Sequence, residues 1–208
     1  MKLRTRLYKC ARGLVQRLAR VFDFLFTWIQ FFCFCEEFHD FETTGIPYIN
    51  VSARNGGAIR IGRKFRMNNG LSGNRIGFGK TPCVLQTEGG TITIGDNVGM
   101  SQTAIVAMAN VSIGNNVLLG GGVKIYTSDF HSLDYLNRRM EKKDADNKTC
   151  SPVMIEDDVF VGAGSIILKG VSIGSKSIIG AGSVVTKNVP SGEVWAGNPA
   201  KFIRRIPG

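Results

Sequence analysis

From Ile155 onward an aliphatic residue returns at every sixth position: Ile155, Val161, Ile167, Ile173, Ile179 and Val185. Glycine or an acidic residue follows the marker in most of these hexads (Glu156, Gly162, Gly174, Gly180), and a small or β-branched residue tends to stand four places on (Val159, Ser165, Val171, Ser177, Ser183, Val189). A six-residue period matches neither the two-residue alternation of a half-buried strand nor the 3.6-residue turn of a helix. It predicts an all-β solenoid, a β-helix in which three short strands make a triangular coil of about eighteen residues. Stacking the coils at about 4.8 Å puts Ile155 beneath Ile173 and Val161 beneath Ile179.

The same phase runs backwards with decreasing regularity. Ile113, Leu119 and Ile125 form one expected coil, with Gly114 and Gly120 in second place. Ile94, Met100 and Val106 form another, joined to it by a step of seven that implies an extra corner residue. Ile61 with Gly62 and Ile76 with Gly77 read as worn coils, interrupted at Asn68 to Asn74. The largest break is a polar run from Thr127 to Ser151 that contains RRMEKKDADNK and opens with the sequence DFHSLD, Asp129 to Asp134. A loop of that length inside a regular solenoid is usually functional or disordered.

The first thirty-five residues follow a helical period instead. Leu7, Ala11, Leu14, Leu18, Val21, Leu25, Trp28 and Phe32 recur at alternating steps of four and three, an apolar stripe along one helix. After Val21 the helix is apolar almost all round, with Asp23, Thr27 and Gln30 as polar interruptions. That stretch is shorter than the roughly 20 residues needed to cross a bilayer, and no small-residue cleavage site follows it. The stripe either lies in the interface of an anionic membrane or packs on protein. The chain therefore divides into a basic, aromatic helical extension over 1–45, a β-helix over 46–190 with an inserted loop near 127–152, and a basic tail over 191–208.

Composition sharpens this division. The formal charge is +10, but seven of the cations (Lys2, Arg4, Arg6, Lys9, Arg12, Arg17, Arg20) fall in residues 1–20 with no acid, leaving +3 for the remainder. With neither a basic groove interleaved with aromatics nor a nucleic-acid module, nucleic acid is not an expected partner. The five cysteines, Cys10, Cys33, Cys35, Cys83 and Cys150, show no paired spacing and none has a histidine neighbour in sequence. They read as reduced thiols of a cytoplasmic protein, with peripheral contact on the inner face of the membrane left open. Histidine occurs twice, and only His131 belongs to the solenoid region. It stands at the root of the polar loop between Asp129 and Asp134, either of which could orient the ring.

The run IEDDVFVGAGSIILKGVSIGSKSIIGAGSVVTKNVPSGEVWAGNPAKFIRRI, preceded by the DFHSLD loop, resembles the hexapeptide-repeat acyltransferases, and most closely the galactoside and maltose O-acetyltransferases and the acetyltransferases of surface-polysaccharide synthesis. The resemblance covers about Ile94 to Ile206. It implies a left-handed parallel β-helix, a homotrimer with sites between subunits, acetyl-CoA as co-substrate and no metal requirement. Carried over residue by residue, the catalytic base falls on His131, with Asp129 or Asp134 as its acidic partner. The coenzyme A arm runs beside Ala163 and Ala181, Thr186 and Lys187 match further acyl-CoA-binding positions, and Lys201 and Arg204 match tail positions that meet the nucleotide phosphates. Phe160 lines the acceptor pocket, and Ser101 and Thr103 stand near the place where the sugar acetyltransferases have an acceptor-contacting asparagine. The implied function is O-acetylation of a sugar hydroxyl in cell-surface polysaccharide or glycolipid biosynthesis, with a small-molecule or lipid-linked saccharide as acceptor. Serine, amino-sugar and antibiotic acetyltransfer on the same fold are the alternatives, as is a non-enzymatic scaffold. Zinc-dependent carbonic anhydrases of this fold use three histidines per metal, which His131 alone does not supply from the repeat.

Overall fold

The computed structural model describes residues 2–70 and 81–207, with side chains from Arg17 onward and that of Val15. The coil expected at Ile76 and Gly77 lies outside the described residues, as do the side chains of Leu7, Ala11 and Leu14. One long helix, α1 (Lys2–Phe34), precedes a parallel β-helix.

The β-helix has three faces. One is an eight-stranded sheet of β1 (Phe41–Thr44), β4 (Phe65–Asn68), β7 (Gly99–Ser101), β10 (Leu118–Leu119), β13 (Phe160–Val161), β16 (Ile178–Ile179), β18 (Glu193–Gly197) and β19 (Ala200–Arg205). A six-stranded face holds β2 (Tyr48–Val51), β5 (Val84–Thr87), β8 (Ala104–Ala107), β11 (Lys124–Tyr126), β14 (Ile166–Ile167) and β17 (Val184–Val185). A five-stranded face holds β3 (Ala58–Ile61), β6 (Thr91–Ile94), β9 (Val111–Ile113), β12 (Val153–Ile155) and β15 (Ser172–Ile173). The stacking predicted from the hexads is observed: Ile155 pairs with Ile173, and Val161 with Ile179. All six markers from Ile155 to Val185 are buried. The coils are so close that a side chain on Gly162 would bring its Cβ to 2.5 Å from the backbone nitrogen of Ala181.

Two expectations need correcting. Ile105, not Val106, is the inward marker of its coil: Ile105 is fully buried and pairs with Ile125, while Val106 faces the other way and pairs with Tyr126. The coil's irregularity is thus a short corner at Ser101 to Thr103, where Gln102 takes a left-handed φ of 48°, followed by a longer one beyond Ala107. The coil stack also begins at Phe41 rather than at residue 46, because β1 pairs with β4 in full register.

Helix α1 packs on the starting end of the stack with the face opposite to the predicted stripe. Phe31 is fully buried, with its ring centroid 4.7 Å from Phe41, 5.6 Å from Phe38 and 6.4 Å from Phe65. The polar interruptions of the helix belong to this same face. Asp23 Oδ2 accepts the Gly45 N–H at 2.9 Å, and Gln30 Oε1 accepts that of Ile49 at 3.2 Å. Buried Thr27 donates to the Asp23 carbonyl at 2.7 Å. The physical reason is that the end of a parallel solenoid presents backbone donors with no further coil to pair them. Leu18, Val21, Leu25, Trp28 and Phe32 remain exposed on the outer side.

Candidate active site

The polar loop between β11 and β12 leaves the solenoid at the vertex shared by the six- and five-stranded faces. Its neck is closed by an antiparallel bridge between Ser128 and Cys150 and by Asp129 N–H donating to Thr149 O at 3.1 Å. Beyond the neck it carries two short helices, α2 (Tyr135–Arg138) and α3 (Glu141–Asp146). Phe130 turns the chain with a left-handed φ of 64° and sets its ring edge-on to Tyr126, 5.3 Å between centroids.

His131 follows that turn, and its Nδ1 lies 2.6 Å from Asp144 Oδ2 of α3. The other carboxylate oxygen of Asp144 accepts the Ser132 N–H at 2.7 Å. The hydrogen bond from His131, followed by that from Ser132, holds the Asp144 carboxyl below its ordinary range. A carboxylate accepts only, so Nδ1 carries the hydrogen and the neutral ring leaves Nε2 as an acceptor. The imidazole is 70% exposed while its carboxylate partner is 16% exposed, so a braced ring faces open space. Arg138 Nη1 ties the loop down by donating to the carbonyls of Ser132 and Leu133 at 2.6 and 2.8 Å.

Neither aspartate flanking His131 in sequence reaches the ring. Asp129 is held by Thr149 Oγ1 and by Lys169 Nζ at 3.0 Å, and the hydrogen bond from Thr149 is the main reason its carboxyl is pulled below the usual range. Asp134 caps α2 by accepting the Leu136 N–H at 2.9 Å. The partner, Asp144, was hidden in the sequence among the charges of RRMEKKDADNK. Only the fold of α3 brings it back across thirteen positions.

The remaining candidates fall in three places. Thr186 and Lys187 follow β17 at the same vertex as the histidine loop, and both are exposed. Ala163 and Ala181 stand at the corners after β13 and β16, between the eight- and six-stranded faces. Phe160 lies on the outer surface of the eight-stranded sheet, 45% exposed. Strand register extends that surface into a single outward row: Glu42, Arg66, Gly99, Leu118, Phe160, Ile178, Val194 and Arg204. Lys201 joins Arg204 on this side. A bulge between Val194 and Trp195 lets Arg204 oppose Val194 and Lys201 oppose Ala196, so the two cations share a face although they are three residues apart.

Ser101 also belongs to the eight-stranded sheet. It receives a hydrogen bond from Asn68 Nδ2 at 3.1 Å, and Asn68 pairs with Thr44, giving a polar ladder that the irregular spacing of the early coils concealed. Thr103 does not join it, because it is fully buried with its hydroxyl 3.3 Å from the Ser101 carbonyl. The ladder borders a cavity of about 760 Å³ between α1 and the sheet, lined by Arg20, Phe24, Arg66, Asn68, Ser101 and Leu118 among others.

Two of the cysteines, Cys35 and Cys83, are held away from nucleophilic chemistry by burial. Burial pushes the Cys35 thiol up to about 12 and that of Cys83 up to about 11, which keeps both protonated.

Known proteins place this arrangement in a family. Residues 152–187 match the hexapeptide repeat of succinyl-transferase. A hexapeptide-repeat-containing acetyltransferase of Vibrio cholerae superposes with a TM-score of 0.57 and is 33% identical, over 71% of this chain and 73% of that one. The chain belongs to the hexapeptide-repeat acetyltransferases. The fold is accordingly the left-handed parallel β-helix of that family. The Vibrio protein has also been solved in complex with acetyl-CoA, at 28% identity and a TM-score of 0.50 over 86% of this chain and 75% of that one. A Saccharomyces cerevisiae protein provisionally named an acetyltransferase is 41% identical over 119 residues, 57% of this chain. A mitochondrial gamma carbonic anhydrase of Arabidopsis thaliana is 30% identical over 165 residues, 76% of this chain. The chain spans only 58% and 48% of the lengths of these last two, about half of each. Among the described residues of this hexapeptide-repeat acetyltransferase, no group of three or more His, Cys, Asp or Glu is placed to hold a metal ion.

Proposed function

We propose that this chain is an acetyl-CoA-dependent O-acetyltransferase acting on a sugar hydroxyl, with His131 as general base and Asp144 as the residue that positions it. The observation that carries the reading is the Nδ1 to Asp144 contact, which fixes the ring with Nε2 free. In this mechanism Nε2 takes the proton of the acceptor hydroxyl while its oxygen attacks the thioester carbonyl. Backbone N–H groups stabilise the tetrahedral oxyanion, which collapses with the coenzyme A thiolate as leaving group.

The site is shared between copies of the chain. His131 stands at the vertex opposite the eight-stranded sheet, whereas Phe160, Ser101, Lys201 and Arg204 line that sheet's outer surface. One chain cannot bring both to one acetyl group, and a neighbouring copy in a trimer can. Lys201 and Arg204 on one face suit the nucleotide phosphates of coenzyme A, and the corners at Ala163 and Ala181 suit its pantetheine arm. The test is thiol release from acetyl-CoA with a panel of sugars, serine and chloramphenicol. Release dependent on a saccharide is expected; release with serine or chloramphenicol alone overturns the sugar assignment.

The outer face of α1 supports peripheral contact with an anionic membrane, because exposed Leu18, Val21, Leu25 and Phe32 continue a segment with seven cations and no acid. No described helix is long and apolar enough to cross a membrane. Replacing Leu18, Leu25 and Phe32 by serine leaves the packed face of α1 intact. The triple variant is expected to lose sedimentation with phosphatidylserine vesicles that the parent shows; equal sedimentation of both sinks the idea.

A further inference from the structure

The cavity between α1 and the eight-stranded sheet contains two guanidinium groups that the acetyl-transfer reading does not use. Arg66 projects from β4, in register between Glu42 on one side and Gly99 on the other. A Cβ at position 99 would lie 3.8 Å from Arg66 Nη2, ordinary contact distance, so the arginine side chain extends along the sheet over Gly99. Arg20 reaches the same cavity from α1. Among the described residues neither arginine forms an ion pair, not even with adjacent Glu42.

The surroundings say what these cations are for. Phe24, Phe41 and Leu118 form an apolar wall beside the two cations, and Glu42 is the one carboxylate among the lining residues, leaving a net positive charge. The Thr44, Asn68 and Ser101 ladder lies in the same cavity and offers hydroxyl and amide groups. An anion-binding end beside a row of neutral hydrogen-bonding groups fits a sugar that carries a phosphate. Guanidinium matches phosphate oxygens in a planar fork. The phosphates of coenzyme A are served elsewhere: Arg204 lies six strand positions along the sheet from Arg66, roughly 29 Å at about 4.8 Å per strand.

We propose that Arg20 and Arg66 form a phosphate subsite for the acceptor, which is a saccharide carried on a phosphate or diphosphate ester. This rests on the reading of the Ser101 side of the sheet as the acceptor side of an acetyltransferase. Two sources share this chemistry, a nucleoside-diphosphate sugar and a polyprenyl-diphosphate saccharide.

Calorimetric titration with inorganic diphosphate, at saturating coenzyme A, tests the subsite without catalysis. The parent is expected to bind, and Arg66→Gln and Arg20→Gln each to weaken binding about tenfold, as loss of a charge-assisted contact does. No binding, or equal binding by both variants, overturns the proposal. Thiol release is then compared for a nucleoside-diphosphate sugar, a polyprenyl-diphosphate saccharide in detergent and the free sugar. One phosphate-bearing acceptor is expected to react, with KM raised about tenfold in Arg66→Gln and kcat nearly unchanged. Equal reaction of the free sugar, insensitive to Arg66→Gln, overturns the subsite and leaves acetyl transfer standing. Arginine-dependent diphosphate binding without thiol release from any acceptor does the reverse.

Discussion

His131→Ala is expected to lower the rate of thiol release by about 10² to 10⁴, some 3 to 5 kcal/mol of barrier, while coenzyme A binding stays at the parent value. The separation of the two effects follows from the geometry. His131 is carried by the loop between β11 and β12, whereas Lys201 and Arg204 are carried by β19, at the far end of another face. Asp144→Asn completes the argument. The amide preserves shape but removes the charge that stabilises the protonated ring, so kcat falls by less than in His131→Ala and KM changes little. Rapid-mixing assays with acetyl-CoA and the best acceptor of the panel measure both. Near-parent turnover in His131→Ala removes the base assignment outright.

Phe31→Ala is expected to cost about 3 to 5 kcal/mol of stability, the usual cost of emptying a fully buried phenylalanine site. Phe31 is 0% exposed and joins α1 to Phe38, Phe41 and Phe65. For a chain of this size the loss corresponds to a fall in Tm on the order of 10 °C. Trp28, which stands edge-on to Phe38 at 6.4 Å, should report the loosening of the helix by fluorescence. A melting point unchanged within a degree or so would mean that α1 docks without this aromatic cluster.

The perfect hexads were legible because every coil imposes the same demand on the same position. The register pairs Ile155 with Ile173 and Val161 with Ile179, as six-residue spacing requires. Where corners vary, spacing alone misleads: Val106 keeps the six-residue phase from Met100, but the short corner at Gln102 turns Ile105 inward. The histidine was legible from its place at a break in the repeat. Its aspartate was not, because a loop folded through two short helices carries no period that links His131 to Asp144. The helix was legible as a helix, and its apolar stripe is the exposed side, one of the two places the pattern left open. Hydrophobicity marked the exposed stripe, whereas the docking face includes Asp23, Thr27 and Gln30, chosen by the unpaired backbone of the first coil. Asn68 and Arg66 carry no such signal for a related reason, since they lie in a coil whose hexads have eroded.

Each end of the stack is partly covered. At the starting end α1 occupies the donors that another coil would use. At the other end β19 folds back antiparallel on β18, with a bulge and three basic side chains, Lys201, Arg204 and Arg205, along its free edge. A bulged cationic edge discourages strand addition. Growth of the eight-stranded face along the axis is therefore opposed at that edge, while the outward row of the same sheet stays open along the flank.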